Sequence, residues 1–493
     1  MSDNLINWRD SRLNKVSKSF CAAKWYNASL HLGHGFTNSC HLPLPHPVDL
    51  EELKTNPSAL HNTKLKKQAR KMMLEGTRPA ECSYCWKVED MGPTSVADRV
   101  YKSIIYTDDE IAELPNIPWD ADVNLKTVEV SFDRTCNFAC SYCNSGYSTT
   151  WGKDIKENGP YQKFKTTSAG AYHADGSWSE VYGKNGENNP YVQAFMEWWP
   201  DLSKHLKEVR VTGGEPSASF NFWKFIEVMK TTPTPDLTLA VNSNLGVDDK
   251  LIDKLINITK EVEIGAYDIY TSCEAYGEQA DYIRDGLKYG VWRKNLVKVI
   301  EKANCRQVIV MMTINSLCLS SISEFLDDMF SLKEKYGSKS PIVDLNILRW
   351  PAFMSPVSLP EDIKKVYCDK LKTWLDNHKD SELLSEHEIA QIQRLIKYID
   401  VVDKGHVTTE DELDKHFHDF KSFYSQYDKR RNKNFTETFP ELSDWYNSIE
   451  VDKSIPDVTV TDGRITHFEP GEYKPDVIAK AKQLKGKTWK KII

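Results

Sequence analysis

The sequence predicts an α/β fold: six parallel strands wound into an open or partial (β/α)6 barrel, preceded by a cysteine-rich segment and followed by helices. Three observations predict it. From about residue 125 to 350, apolar β-rich runs alternate with helical periodicity, the pattern of repeated βα units. Seven of the eleven cysteines fall into two groups, one before the first of these strands and one just after it. Beyond Pro351 the β-rich runs stop and amphipathic helical spacing takes over. The 493 residues thus divide into 1–120, 121–350 with an insertion at about 145–205, and 351–493.

Composition narrows the class. Hydrophobic residues make up 40% and charged residues 27%, a globular balance that excludes a largely disordered, fibrous or membrane-spanning chain. The formal charge, 64 − 71 = −7, lacks the basic excess of a dedicated nucleic-acid binder. No apolar run approaches the ~18 residues that cross a bilayer, and the start MSDNLINWRDSRLNK has no apolar signal core. The expectation is a cytoplasmic protein with no membrane or nucleic-acid partner. In that compartment cysteines stay reduced, so groups of them point to metal or redox chemistry before disulfides.

Six strands are expected at Val128–Asp133, Val209–Gly213, Leu237–Asn242, Val262–Ser272, Val308–Ile314 and Val343–Leu348. Between them lie helical stretches at Phe220–Met229, Asp248–Ile258, Val291–Lys302 and Ser321–Lys335. Ligands bind such folds at the carboxyl ends of the strands, so chemistry is sought just after each strand. The stretch Asn144–Glu208, rich in Gly, Asn and aromatics (Trp151, Trp178, Tyr182, Trp198, Trp199), is too long for a plain connection. It reads as a lid or binding loop, or equally as a surface insertion. Past Pro351, Ile363, Val366, Tyr367 and Trp374 mark one helix and Leu383–Ile399 another. A third opens with the capping pair Thr409 and Glu412 and carries a core stripe of Leu413, Phe417, Phe420, Tyr424 and Tyr427. The six lysines from Lys480 to Lys491 read as a solvated helix or frayed tail.

The segment VSFDRTCNFACSYCNSG sets Cys136, Cys140 and Cys143 directly beyond the first strand as CxxxCxxC. Three thiolates on a four-iron cluster leave one iron open to an outside chelator. Zinc would require a fourth protein ligand, or three ligands and water, and no histidine follows closely.

With Tyr142 before its last cysteine, this triplet resembles the signature of the radical S-adenosylmethionine (SAM) enzymes. The resemblance covers about residues 125–350. It implies a partial barrel, a [4Fe-4S] cluster on Cys136, Cys140 and Cys143, and SAM chelating the open iron. It further implies reductive cleavage of SAM to a 5′-deoxyadenosyl radical that abstracts hydrogen from a substrate. Gly213-Gly214-Glu215-Pro216 is similar to the family's GGEP motif, which holds the methionyl amino group, and Asn242-Ser243-Asn244 to its polar corner after the third strand. Ser272-Cys273-Glu274-Ala275 followed by YIRDG looks like its serine and acid corner. By that likeness Ser272 and Glu274 face ribose or substrate, Arg284 faces the SAM carboxylate, and Asn315 and Leu348 take the adenine and ribose positions. The residue types suit a sulfonium amino acid on their own terms: an acceptor for its ammonium (Glu215), a cation for its carboxylate (Arg284) and a polar group for its ribose (Ser272). Cys273 is either a hydrogen-atom donor or a small core residue.

Cys21, Cys40, Cys82 and Cys85 form the second group, with His41 and His46 near Cys40. Four thiolates close either a zinc site or a [4Fe-4S] cluster, and spacing does not separate them. The segments KSFCAAKWYN, TNSCHLP and GTRPAECSYCWKVEDMG resemble a twitch domain, the short relative of the SPASM extension, which implies an auxiliary [4Fe-4S] cluster. These cysteines precede the barrel, where twitch cysteines more often follow it. YDKRRNKNFTETFPEL is similar to the tail of such proteins. Together the resemblances imply a radical SAM oxidoreductase or maturase, an electron donor such as flavodoxin or ferredoxin, and a small-molecule or peptide substrate. The alternative is a non-catalytic iron–sulfur or zinc protein acting as electron carrier or scaffold.

Overall fold

The computed structural model describes residues 2–92, 95–176, 188–401, 409–461 and 464–467. Trp178, Tyr182 and the lysines from 480 to 491 lie outside the described residues.

In chain order the first eleven strands are β1 (Asn27–His31), β2 (Phe36–Asn38), β3 (His46–Pro47), β4 (Thr127–Ser131), β5 (Ala139–Cys140), β6 (Glu208–Thr212), β7 (Thr234–Ser243), β8 (Ile264–Ser272), β9 (Arg284–Asp285), β10 (Gln307–Ile314) and β11 (Ile342–Ile347). Nine of them form one sheet in the order β11-β10-β8-β7-β6-β4-β1-β2-β3, while β5 and β9 pair separately as a short antiparallel bridge. The six expected strands are β4, β6, β7, β8, β10 and β11, each parallel to the next. Helices fill the connections, among them Phe220–Lys230, Asp249–Glu261, Tyr289–Lys302 and Ile322–Tyr336. Consecutive strand order with right-handed crossovers stacks these helices on one face. The sequence pattern missed what the N-terminal segment adds. β1 extends the sheet in parallel beside β4, in register from Asn27 with Thr127 to His31 with Ser131, and β2 and β3 continue it antiparallel.

The two faces of the sheet differ. Val128, Val130, Val209, Val211, Leu239, Val241, Ile269, Val310, Met312 and Leu345 are buried against the helices. The alternate residues, which point to the opposite face because side chains alternate along a strand, are mostly polar and part-exposed, Ala240, Ile309 and Met311 being the apolar exceptions and Asp268 being buried. Pairing registers put His31, Ser131, Thr212, Asn242 and Tyr270 in one row across five strands. One step toward the amino ends, Arg210 reaches over the small Ala240 to Tyr270, donating to its hydroxyl at 2.9 Å with the guanidinium 4.1 Å from the ring centroid.

The long insertion is not a surface lid where it is described. Its helices Thr149–Asn158 and Pro190–Leu202 bury Trp151, Trp198 and Trp199 in the main core. Burying such large aromatic areas holds the segment down more firmly than its loop-like composition suggests. Three C-terminal helices follow at Glu361–His378, Glu386–Val401 and Glu410–Arg431, the last opened by the full Thr409–Glu412 capping box. Its stripe is core: Phe420, Phe423, Tyr424 and Tyr427 are buried, with Phe417 half-buried at the rim. The tail motif is an internal clamp. Arg430 donates to the carbonyls of Gly159 and Pro160, and Arg431 pairs with Asp154 and with Asp285 on β9.

Candidate functional site

Cys136, Cys140 and Cys143 occupy the loop that leaves the carboxyl end of β4. The loop's backbone is fixed from behind. Trp151 Nε1 donates to the Cys140 carbonyl at 2.9 Å, Tyr172 to the Ser141 carbonyl at 2.8 Å, and Tyr427 to the Ala139 carbonyl at 3.4 Å. In front, β5 pairs with β9 so that Cys140 lies opposite Arg284. Burial raises all three thiols, Cys136 to about 12 and Cys140 to about 11, the latter opposed by the nearby Arg284 charge. Neighbouring thiols add to the rise at Cys136 and Cys143.

The Gly213-Gly214-Glu215 corner is seated on this loop. Gly213 has φ +125°, the left-handed region. A Cβ on Gly214 would stand 2.3 Å from the Thr135 carbonyl oxygen, and Glu215 N–H donates to that same oxygen at 2.6 Å. The Glu215 carboxylate is buried. Its Oε1 accepts from Ser217 N, Ser217 Oγ and Ser243 Oγ, and its Oε2 from Asn244 N at 2.5 Å. Burial raises its pKa against these donors, which lower it. Ionised, a carboxylate accepts about four hydrogen bonds, so Oε2 with one donor keeps capacity for a cation.

Arg284 is held by a carboxylate. It is buried and forked onto Glu274, Nε and Nη2 donating to Oε2 at 2.9 and 2.6 Å, while Nη1 lies 3.8 Å from the Cys140 sulfur. Tyr142 donates to the same carboxylate at 3.0 Å. Glu274 and Arg284 therefore hold each other beside the cysteine loop. Asn242 and Ser272 lie on the polar face, and the Asn242 side-chain oxygen is buried without a hydrogen-bond partner. Asn315 is spent on its own turn, accepting from Leu317 N and Cys318 N and donating to the Thr313 carbonyl. Leu348 prolongs the ladder, its N–H reaching the Ile314 carbonyl at 2.8 Å. Cys273 is sealed in the core with its thiol on the Ala275 carbonyl at 3.5 Å, which supports the packing role over the donor role.

The second group converges. Cys21, Cys40, Cys82 and Cys85 line one pocket whose empty space, open mouth included, is about 420 Å³, together with Lys24, Arg99 and Lys102. Burial drives Cys40 upward and Cys82 and Cys85 to about 12. His46 lies away from the sulfurs' pocket and hydrogen-bonds Thr63. Among the described residues no three His, Cys, Asp or Glu side chains are set to hold one metal ion between them. Tetrahedral zinc asks for sulfurs about 2.3 Å from a single point, whereas a cubic cluster gives each thiolate its own iron.

Residues the sequence did not single out also reach the polar face. His31 stands in the row beside Ser131, with its Nε2 buried and without a partner. Glu129, in register with Arg210, accepts from Thr212 Oγ1 at 3.1 Å. Their only sequence signal is a polar residue at every second position of a strand.

No family model matches the chain, and no curated protein does. Among solved structures the chain is similar to hexahistidine-tagged anSMEcpe with bound AdoMet (13% identity, 52% of this chain and 63% of that one, TM-score 0.32). It is also similar to native anSMEcpe with bound AdoMet (13%, 66% and 100%, TM-score 0.34) and to Streptococcus suis SuiB (11%, 71% and 70%, TM-score 0.32). Likeness this faint carries over neither a residue nor an activity. What stands is the architecture itself, a mixed α/β fold on a mostly parallel sheet with two cysteine groups. Among the described residues no helix is long and apolar enough to cross a membrane.

Proposed function

We propose that the chain is a radical SAM enzyme of the oxidoreductase or maturase kind. Cys136, Cys140 and Cys143 hold a [4Fe-4S] cluster that keeps one iron for SAM, and Cys21, Cys40, Cys82 and Cys85 hold an auxiliary [4Fe-4S] cluster. When bound, the first cluster and SAM supply a 5′-deoxyadenosyl radical that takes a hydrogen atom from the substrate. The chain's own residues do the rest. Glu215 accepts the ammonium of SAM on Oε2 and fixes the corner against the cysteine loop. Asn242 offers its unpartnered oxygen, and Ser272 its hydroxyl, to the ribose or the substrate. Arg284, neutralised by Glu274, sets the charge beside Cys140 and holds β9 against β5. The polar row from His31 to Tyr270 receives a polar small molecule or a peptide segment.

The observation that carries this reading is the contact of Gly214 and Glu215 with Thr135, one residue before Cys136. The adjacent ends of β4 and β6 bring the two corners together, which sets the Glu215 carboxylate and the cysteine loop where one ligand would touch both. An electron carrier or scaffold has no use for the pairing. The test is anaerobic reconstitution with counting of iron and sulfide, about eight irons being expected for two cubic clusters. Dithionite and SAM are then added and 5′-deoxyadenosine is measured. Release that persists when Cys136, Cys140 and Cys143 are all alanine would refute the proposal.

A further inference from the structure

Two opposite charges on the polar face of the sheet stand side by side without pairing. Glu129 on β4 and Arg210 on β6 are direct partners in the parallel ladder, on strands about 4.8 Å apart. Opposite charges set across from each other on neighbouring strands normally meet. Here each is drawn aside. Glu129 Oε1 accepts from Thr212 Oγ1 at 3.1 Å, and its Oε2 has no partner among the described residues. Arg210 leans the other way, across Ala240. Its Nε donates to Glu208 at 3.3 Å and its Nη2 to the Tyr270 hydroxyl at 2.9 Å, while Nη1 has no partner among the described residues. Stacking on the Tyr270 ring, 4.1 Å from its centroid, fixes the guanidinium plane. Asp268, the next acid in the same row, is spent on Arg306.

A solvent-exposed ion pair is worth little, so its absence alone decides nothing. The flanks of the gap add a second observation. One row toward the carboxyl ends, His31 on β1 and Asn242 on β7 stand on either side of β4 and β6, and each has a buried side-chain atom, Nε2 and Oδ1, with no hydrogen-bond partner. A buried polar atom left unsatisfied costs about 1–3 kcal/mol, and two of them border one gap between unneutralised charges. A ligand that answers all of this carries a cation and an anion on neighbouring atoms and polar groups beyond them.

We propose that Glu129 and Arg210 form the head-group site for a free α-amino acid, its ammonium on Glu129 and its carboxylate on Arg210. Its side chain runs over Ala240 and past Asn242 toward Ser272 and the cysteine loop. The rows from Arg210 to Ser272 span about 13 Å, so the site favours a long side chain. This deepens the functional reading and rests on it for the use of the polar face as the substrate face.

The test is saturation-transfer NMR on the reconstituted full chain with SAM equimolar to it, which fills the Glu215 corner. The probes are the proteinogenic L-amino acids other than methionine, one at a time. At least one with a long side chain is expected to bind. Its analogues lacking only the amino group or only the carboxylate should bind about tenfold more weakly or worse, the worth of a charged hydrogen bond. Glu129→Gln and Arg210→Met should weaken the amino acid by a similar factor. Glu129 is exposed and Arg210 part-exposed, so both variants should fold and keep about eight irons per chain. Absence of binding by every probe overturns the inference, as does binding that is equal for both analogues or unchanged in both variants, and in each case release of 5′-deoxyadenosine leaves the radical SAM reading standing. Binding with the expected losses in a chain that releases no 5′-deoxyadenosine keeps the head-group site and overturns the reaction instead.

Discussion

The chain carries two cysteine groups whose surroundings are built differently. Beside Cys136, Cys140 and Cys143 the buried cation, Arg284, is already matched by Glu274, and the buried acid Glu215 is held by serine hydroxyls and backbone N–H groups. The pocket of Cys21, Cys40, Cys82 and Cys85 is lined by Lys24, Arg99 and Lys102 together with Asp98, and Lys24 and Arg99 are paired with Glu81 and Glu89. Identical thiols therefore sit beside one buried ion pair in the first group and among several ion pairs in the second. Such second layers decide what a metal group does, since hydrogen bonds and net charge set its potential and access.

The sharpest way to break that contrast is to empty each group in turn. Alanine at Cys136, Cys140 and Cys143 is expected to abolish 5′-deoxyadenosine release and remove about four irons. Alanine at Cys82 and Cys85 should remove a similar amount of iron while lowering release less than tenfold. Equal loss in both, measured by iron assay and by chromatography of the nucleoside, would mean that the groups act as one. Next in size is Arg284→Met, which leaves Glu274 buried and unpaired. Breaking a buried pair from one side costs about 3–5 kcal/mol, to be read from urea unfolding. Gly214→Ala follows, because its Cβ must push the Thr135 carbonyl away. A loss of about 1–3 kcal/mol is expected, accompanied by weaker SAM binding in calorimetry, with the four-cysteine centre's iron unaffected. The smallest is Thr409→Ala, which removes a helix cap remote from both groups. It should cost about 1 kcal/mol and change neither iron content nor nucleoside release.

Much of the sheet was legible in the sequence, because buried parallel strands read as dense apolar runs with helices between them. β1 was not: NASLH is five residues with a polar residue at each end and sits among cysteines that signal metal chemistry instead. The insertion misled for a different reason. Glycines and asparagines mark irregular backbone, but they say nothing of whether Trp151 or Trp199 points inward. The site was legible as a set of residue types and only partly as contacts. Glu215, Arg284 and Glu274 stand where strand ends predicted, yet the mutual capture of Arg284 and Glu274 depends on a β5–β9 bridge that no local pattern encodes. The buried cations of KLKKQARK were hidden by their own chemistry, since lysines and arginines at helical spacing normally mean a solvated face.

The lateral neighbour of β4 comes from the first 31 residues of the chain. A chain truncated to begin after residue 120 would therefore bare one whole flank of its leading strand, a row of unsatisfied amides and carbonyls in a flat apolar setting. Such a flank recruits other chains, so the truncated protein should self-associate even where its remaining strands are correctly formed. The N-terminal segment thereby covers an edge that the central sheet would otherwise leave open.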